Sequence, residues 1–191
     1  MKLTRIRLEQ FRQFRQALEI GDLQAGINVF TGPNEAGKST IVAAIRAAFF
    51  ERHRSSCVDD FRPWGDSAAS PTVELDFTIG GGDYRLTKSF LGKKRCELSV
   101  GTQALDGDDA EDHLARLLGF QHAARGASKA EHWGIPGLLW IEQGSGQEVG
   151  EAVKNATDHL RTALNESLGE VAGGGGDEVM ATVEAARNEL L

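Results

Sequence analysis

Three stretches in the middle of the chain alternate apolar and polar residues with a period of two. Val73, Leu75, Phe77 and Ile79 alternate with Glu74, Asp76 and Thr78. Tyr84, Leu86, Lys88 and Phe90 alternate with Arg85, Thr87 and Ser89, and Cys96, Leu98 and Val100 with Arg95, Glu97 and Ser99. The separators are Gly80-Gly81-Gly82-Asp83 and Leu91-Gly92-Lys93-Lys94. Together they predict an antiparallel meander with one buried face. Upstream, residues 3–11 read as an opening strand and residues 16–20 as a second. Ile27-Asn28-Val29-Phe30 is short, apolar and β-branched, as expected of a buried strand in a parallel sheet. From residue 38 to about 52 apolar residues fall on nearly every helical face, which predicts a buried helix. Residues 55–70 read as a loop around Pro63, Trp64 and Gly65. Residues 108–118 read as a short helix with acidic residues first, Leu114, Leu117 and Leu118 inside, and Gly119 at its end.

Beyond that the pattern loosens. Residues 121–136 are irregular, 138–141 form a compact apolar run, and Glu142-Gln143-Gly144 follows. Residues 148–168 carry one apolar stripe at helical spacing, four glycines at 173–176 break it, and a new helix starts at 177. The sequence stops inside that helix with no cap, which predicts a fragment of something longer. The expected division is an N-terminal lobe over 1–146 and a helical segment over 147–191.

Composition narrows the class. The chain has 191 residues, 40% hydrophobic and 26% charged, enough for one domain with a sizeable core. A formal net charge of −7 gives no general attraction to nucleic acid, so any basic surface must be local. Cys57 and Cys96 lack metal or disulfide spacing, no signal peptide is visible, and no apolar run reaches the ~20 residues of a membrane span. A cytoplasmic, membrane-free protein is the expectation.

The densest chemical signal is Gly32-Pro33-Asn34-Glu35-Ala36-Gly37-Lys38-Ser39, followed by Thr40, which fits GxxxxGK[ST] at every fixed position. Glycines let the backbone curl so that several N–H groups face phosphate oxygens. A helix that starts at the loop adds free N–H groups and the positive end of its dipole. Lys38 supplies a mobile cation for the β- and γ-phosphates, and the Ser39 hydroxyl can ligate Mg²⁺. The expected ligand is ATP with Mg²⁺.

Phe11-Arg12-Gln13-Phe14, then Gly26-Ile27-Asn28-Val29-Phe30 running into the phosphate loop, resembles the N-terminal head of SMC-like ABC ATPases. The double-strand-break repair branch, SbcC-like and YhaN-type, is the nearest. The resemblance implies an α/β P-loop fold of ABC type, with a mixed sheet around the loop, an antiparallel β meander and a C-terminal helical arm root. It further implies that Gln143, after Leu-Leu-Trp-Ile-Glu, is the Q-loop residue that helps hold Mg²⁺ and orient the attacking water. Arg12 would lie close to the nucleotide, and Asn34 matches the usual loop residue. Read without the resemblance, Gln143 is a polar loop residue and Arg12 a surface arginine, and those readings stand beside the functional ones.

The same resemblance implies what else is needed. The sequence has no ABC signature, since Gly144-Ser145-Gly146-Gln147 is one residue short, and no hydrophobic strand that ends in Asp-Glu. Those parts would come from a C-terminal half of the same head and from a second head brought in by ATP. The implied role is a half-head that dimerises on ATP and couples hydrolysis to DNA end processing, with a nuclease subunit as a further partner. The isolated chain would hydrolyse ATP poorly. Rival readings are a stand-alone P-loop kinase or GTPase, a transporter ATPase, and a nucleotide-binding assembly module without turnover. No Arg-rich lid or Asn-Lys-x-Asp supports the kinase or the GTPase.

Other clusters read as structural. The five histidines show no metal-ligand spacing, and Ser145 lacks a GxSxG frame. Trp64, Trp133 and Trp140 are expected to be packing anchors rather than base-stacking platforms. Arg5, Arg7, Arg12, Arg15 and Lys93-Lys94-Arg95 are local basic groups; the last reads as a solvated turn or a phosphate contact.

Overall fold

Period-two patterning builds the largest element. In a computed structural model of the chain, β1 (Lys2–Glu9), β2 (Leu18–Ile20), β3 (Thr72–Ile79), β4 (Gly82–Ser89), β5 (Arg95–Val100) and β6 (Gln103–Asp106) form one sheet. Its order is β2-β1-β3-β4-β5-β6, antiparallel throughout. The structure describes residues 1–123, 126, 128–129, 132–138 and 140, and single positions at 150, 153–154, 157, 161 and 165. The division at 146/147 lies outside the described residues, and of the helical segment only those six positions, all helical, are described.

One row of side chains crosses all six strands: Ile20, Ile6, Leu75, Leu86, Leu98 and Leu105 are register partners in turn. Ile6, Leu75, Leu86 and Leu98 are fully buried. At roughly 1.5–3 kcal/mol for each buried aliphatic side chain, this row fixes the register, because a slip of one residue would turn all of it to water. The opposite face is paired by charge. Arg5 bonds Glu19 at 2.7 Å and Glu74 at 3.3 Å, Arg7 bonds Glu74 at 2.6 Å, and Arg85 bonds Asp76 at 2.8 Å. Arg5 and Arg7 are thus spent on carboxylates of the same sheet. Strand β6 was not foreseen; its signal is the two-residue Gly101-Thr102 turn, where Gly101 takes φ 56°.

Helix α1 (Lys38–Phe50) lies across the apolar face. Ile41, Ala44, Ala47, Ala48, Phe49 and Phe50 are buried, and Phe49 meets Phe77 edge-on at 5.6 Å. The helix is not buried all round as its sequence suggests, since Val42 is 44% exposed; one sheet covers one side. Helix α2 (Gly107–Leu118) buries Ala110, Glu111 and Leu114 and ends at Gly119 with φ 71°. Leu117 and Leu118, expected inside, are only partly buried. A short helix α3 (Gly134–Leu138) stands where irregular chain was expected, and Trp133 before it stacks on Phe50 at 5.2 Å.

The strand expected at residues 27–30 does not form among the described residues. Ile27 is 92% and Val29 75% exposed, and no described strand pairs with them. Asn28 instead turns back on its own loop, accepting from Gln24 N–H at 2.9 Å and donating to Gln24 O at 3.0 Å. A strand needs a ladder partner, and without one a local Asn turn satisfies the backbone better. Among the described residues the expected parallel strand is therefore missing and the sheet is antiparallel rather than mixed, while the α/β fold class itself stands. No helix among the described residues is long and apolar enough to cross a membrane.

Candidate functional site

The apolar residues of α1 decide where its first residue sits. Buried on β3 and β1, the helix points its N-terminal end at the turn between β1 and β2, and residues 32–37 curl over that end. Gly37 is the N-cap with φ 95°, and Glu35 also takes a positive φ, 67°. A side chain at 37 would not fit: a Cβ there would lie 2.3 Å from Phe14 Cζ. The second glycine of the motif is thus required by conformation and by packing.

Around this junction a cleft of about 710 Å³ is lined by Gln13, Asn34, Glu35, Gly37, Lys38, Ser39 and Thr40. Lys38 Nζ donates to Gly32 O at 2.8 Å and to Pro33 O at 2.7 Å, which folds its chain back over the loop. Ala36 N–H donates to Pro33 O at 3.4 Å. Helix α1 has no side-chain cap and no acidic residue in its first turn. Among the described residues its leading N–H groups and its dipole thus meet a cation and the cleft. That arrangement suits an anion, and a hydroxyl from Ser39 at the rim suits a hard cation that accompanies it. The residues present therefore fit a triphosphate with Mg²⁺.

Thr40, expected to face the ligand, is buried, and its Oγ1 donates to Gln13 Oε1 at 2.6 Å. Arg12 stands next door. Its backbone N–H donates to Phe61 O at 2.7 Å, its φ is 51°, and its guanidinium bonds Asp60 at 2.6 Å. It lines an adjoining cleft of about 760 Å³ with Gln13, Asp59, Asp60, residues 62–66 and Ser67. Trp64 on that wall is 94% exposed, so it is not the packing anchor its residue type suggested. Pro63 and Gly65 around it hold a turn in which Asp66 N–H donates to Pro63 O at 3.1 Å, and the indole is left outside. Gln143 lies outside the described residues. Gln13 and the 62–67 wall were missed by sequence reading. Their signals were the Phe-Arg-Gln-Phe turn and an aromatic next to Pro and Gly in a loop.

The far end of α1 ends in a buried charged group. Lys88 on β4 and Glu111 on α2 are both fully buried, 3.4 Å apart. Lys88 Nζ donates to Glu51 O at 2.8 Å, His53 N–H donates to Glu111 at 2.6 Å, and His122 Nδ1 donates to Phe50 O at 3.3 Å. Burial alone would raise the Glu111 carboxyl, but Lys88 and the His53 donors outweigh it and hold the carboxyl below its usual range. Burial and the neighbouring Lys88 push His122 down to about 4, so it is neutral at pH 7. Burial pushes the Cys96 thiol up to about 11, which leaves it protonated and inert. The sequence offered no metal spacing, yet His53, Asp108 and Glu111 do converge within 4.8 Å. The Lys88 ammonium already supplies the positive charge that Glu111 needs there.

The AAA domain family model AAA_23 matches residues 5–119. The DNA double-strand break repair Rad50 ATPase of Thermoplasma acidophilum is 32% identical over 62% of the chain and 14% of its own length. The chromosome partition protein Smc of Rhodopseudomonas palustris is 29% identical over 91% of the chain and 15% of its own length. The Rad50 ATPase of Thermoplasma volcanium is 36% identical over 54% of the chain and 11% of its own length. The chain thus spans about a seventh of these proteins or less. A structure from work on ATP-driven dimerization and DNA-stimulated activation of SMC ATPases overlays 81% of the chain and 99% of its own, at a TM-score of 0.46 and 14% identity. The SMC head domain from Thermotoga maritima overlays 59% of the chain and 42% of its own at 0.34 and 24%. Both overlays are loose, and membership rests on the sequence matches. A family model that covers more than half of the chain, with Rad50 and Smc relatives beside it, establishes that the chain belongs to the AAA domain family AAA_23, as the N-terminal region of an SMC-like ABC ATPase head.

Proposed function

We propose that the chain is the ATP-binding half of a head that closes against a second head when ATP binds, and that hydrolysis in the assembled protein drives DNA end processing or repair. The observation that carries the reading is the uncapped start of α1 under a glycine loop whose lysine, among the described residues, holds two backbone carbonyls. The N–H groups of residues 34–39 and Lys38 bind the phosphates, with Gly32, Asn34, Glu35, Ala36 and Gly37 shaping the loop. Ser39 and Gln143 hold Mg²⁺, which when bound neutralises phosphate charge and polarises the γ-phosphoryl group. The cleft walled by Arg12 and Trp64 receives the ribose and base, with the exposed indole as a stacking surface.

Ile27 and Val29 argue that this is half of a head. Two β-branched residues exposed just before a phosphate loop are a strand without its ladder, and the remaining part of the head is the occupant they fit. Catalysis then belongs to the assembled protein, since the described cleft offers phosphate binding without a group placed to activate water. A nuclease subunit and DNA are partners of that assembly. Light scattering and ATPase assays on the whole protein test this. ATP should shift monomer to dimer, DNA should raise turnover, and Lys38→Ala should abolish both. Nucleotide-dependent dimers with no turnover, with or without DNA, would reduce the protein to an assembly module.

A further inference from the structure

Gln13 belongs to neither the sheet nor the phosphate loop, yet it touches the junction of loop and helix at three points. It sits in the turn after β1, beside the Phe11–Phe14 bridge, and is exposed rather than part of the core. Its Oε1 accepts from Thr40 in the first turn of α1 at 2.6 Å. Its Nε2 donates to Glu35 O at 3.5 Å, a long bond at the edge of the hydrogen-bond range. The same nitrogen would lie 2.7 Å from a Cβ at Gly37.

These three positions are where the loop is held away from ordinary backbone. Glu35 at φ 67° is a non-glycine residue in the left-handed region, and Gly37 at φ 95° closes the curl. A left-handed non-glycine residue persists only where its surroundings over-determine it. An amide can do this with one planar group: an acceptor for the hydroxyl on the helix and a donor for the carbonyl on the loop. A carboxylate offers only the acceptor, and a methyl group neither. Gln13 also lines both clefts, the one at the loop and the one beneath Trp64.

We propose that Gln13 is a positioning residue of the nucleotide site: its amide locks the phosphate loop in its curled form and ties that form to the cleft beside it. This rests on the reading of the loop as a triphosphate site. A locked loop is already shaped for phosphate, so loss of the lock weakens every ligand that uses the loop, whether or not it carries a base. Because the side chain is exposed, its loss leaves the fold intact.

The test uses the full chain, with Mg-ATP and inorganic tripolyphosphate as probes, and urea unfolding beside each titration. Gln13→Ala should weaken both ligands about three- to tenfold, the scale of one lost hydrogen bond, with an unchanged urea midpoint. Gln13→Glu should weaken both further, because it loses the donor and sets a negative charge beside the phosphates. That added deficit should shrink as salt is raised, which a purely structural defect would not do. Thr40→Ser, which keeps the hydroxyl, should bind as the parent does, whereas Thr40→Val should lose affinity non-additively with Gln13→Ala. If Gln13→Ala binds both probes like the parent while Lys38→Ala has lost them, the inference is overturned and the site stands. If Lys38→Ala also binds like the parent, the site itself is wrong.

Discussion

Helix α1 has two ends of opposite character. At the first, a lysine rests on two backbone carbonyls, glycines take the turn, the loop is exposed, and no acidic side chain caps the helix. At the second, a lysine buried to the last atom sits on the carbonyl of Glu51, the C-cap residue, a buried glutamate answers it, and two histidines close the gap. Both ends obey the same dipole. A cation belongs at a helix C-terminus, and the N-terminus is left for an anion. The difference is that the chain supplies the cation itself and leaves the anion to come from outside. On the proposed function, one end governs whether the protein folds and the other what it binds.

That division can be broken by mutation. The largest effect should come from Glu111→Leu, which strands a buried Lys88 ammonium and should cost about 3–5 kcal/mol in urea unfolding. Adding Lys88→Met should recover most of that loss, because two apolar residues can replace a buried pair. If the double variant is as unstable as the single one, the pair is not the source.

Acid should act on the same end. His122 titrates near 4 in the fold against an ordinary value of about 6.5, so the unfolded chain takes up a proton first as pH falls. Stability should therefore decline between about pH 6.5 and 4, by at most about 3 kcal/mol from this group. Glu111, whose carboxyl is lowered by Lys88 and His53 against its burial, loses its own contribution below the ordinary carboxylate range. Burial raises Glu51, which works in the opposite direction. A urea midpoint that is flat from pH 7 to 4 in the parent, or equally steep in His122→Phe, would contradict the assignment.

At the open end, Lys38→Ala should cost roughly 1.5–3 kcal/mol of nucleotide affinity, about ten- to a hundredfold, and leave the urea midpoint unchanged. Gly37→Ala should touch both properties, by about 1–3 kcal/mol in stability, since it forces a positive φ and meets Phe14. The smallest change belongs to Arg12→Ala. Its ion pair to Asp60 is largely in water, so stability should move by less than about 1 kcal/mol.

What sequence reading reached, and what it missed, follows the same line between local and tertiary causes. The meander was legible because each strand writes its own period, and the curl of residues 32–37 into the start of α1 because its glycines stand at fixed spacing. Residues 27–30 carried strand chemistry, but a strand also needs a partner, and none stands among the described residues. Lys88 fell in the inward phase of β4 and gave no sign of its partner, which lies on a helix 23 residues further on. Trp64 showed the limit of residue type: large aromatics are mostly buried, and this one is not. Gln13 stood in a visible Phe-Arg-Gln-Phe turn, but its partners Thr40 and Glu35 come from where β1 delivers it.

The most direct measurement is an amide-resolved NMR titration of the chain with Mg-ATP, read at both ends of α1 and able to register weak binding. The N–H signals of residues 32–40 should shift in a saturable way, those around His53 and Glu111 should stay in place, and Lys38→Ala should remove the shifts. If residues 32–40 stay silent at millimolar ATP, or shift equally in Lys38→Ala, the open end of α1 is not a phosphate site.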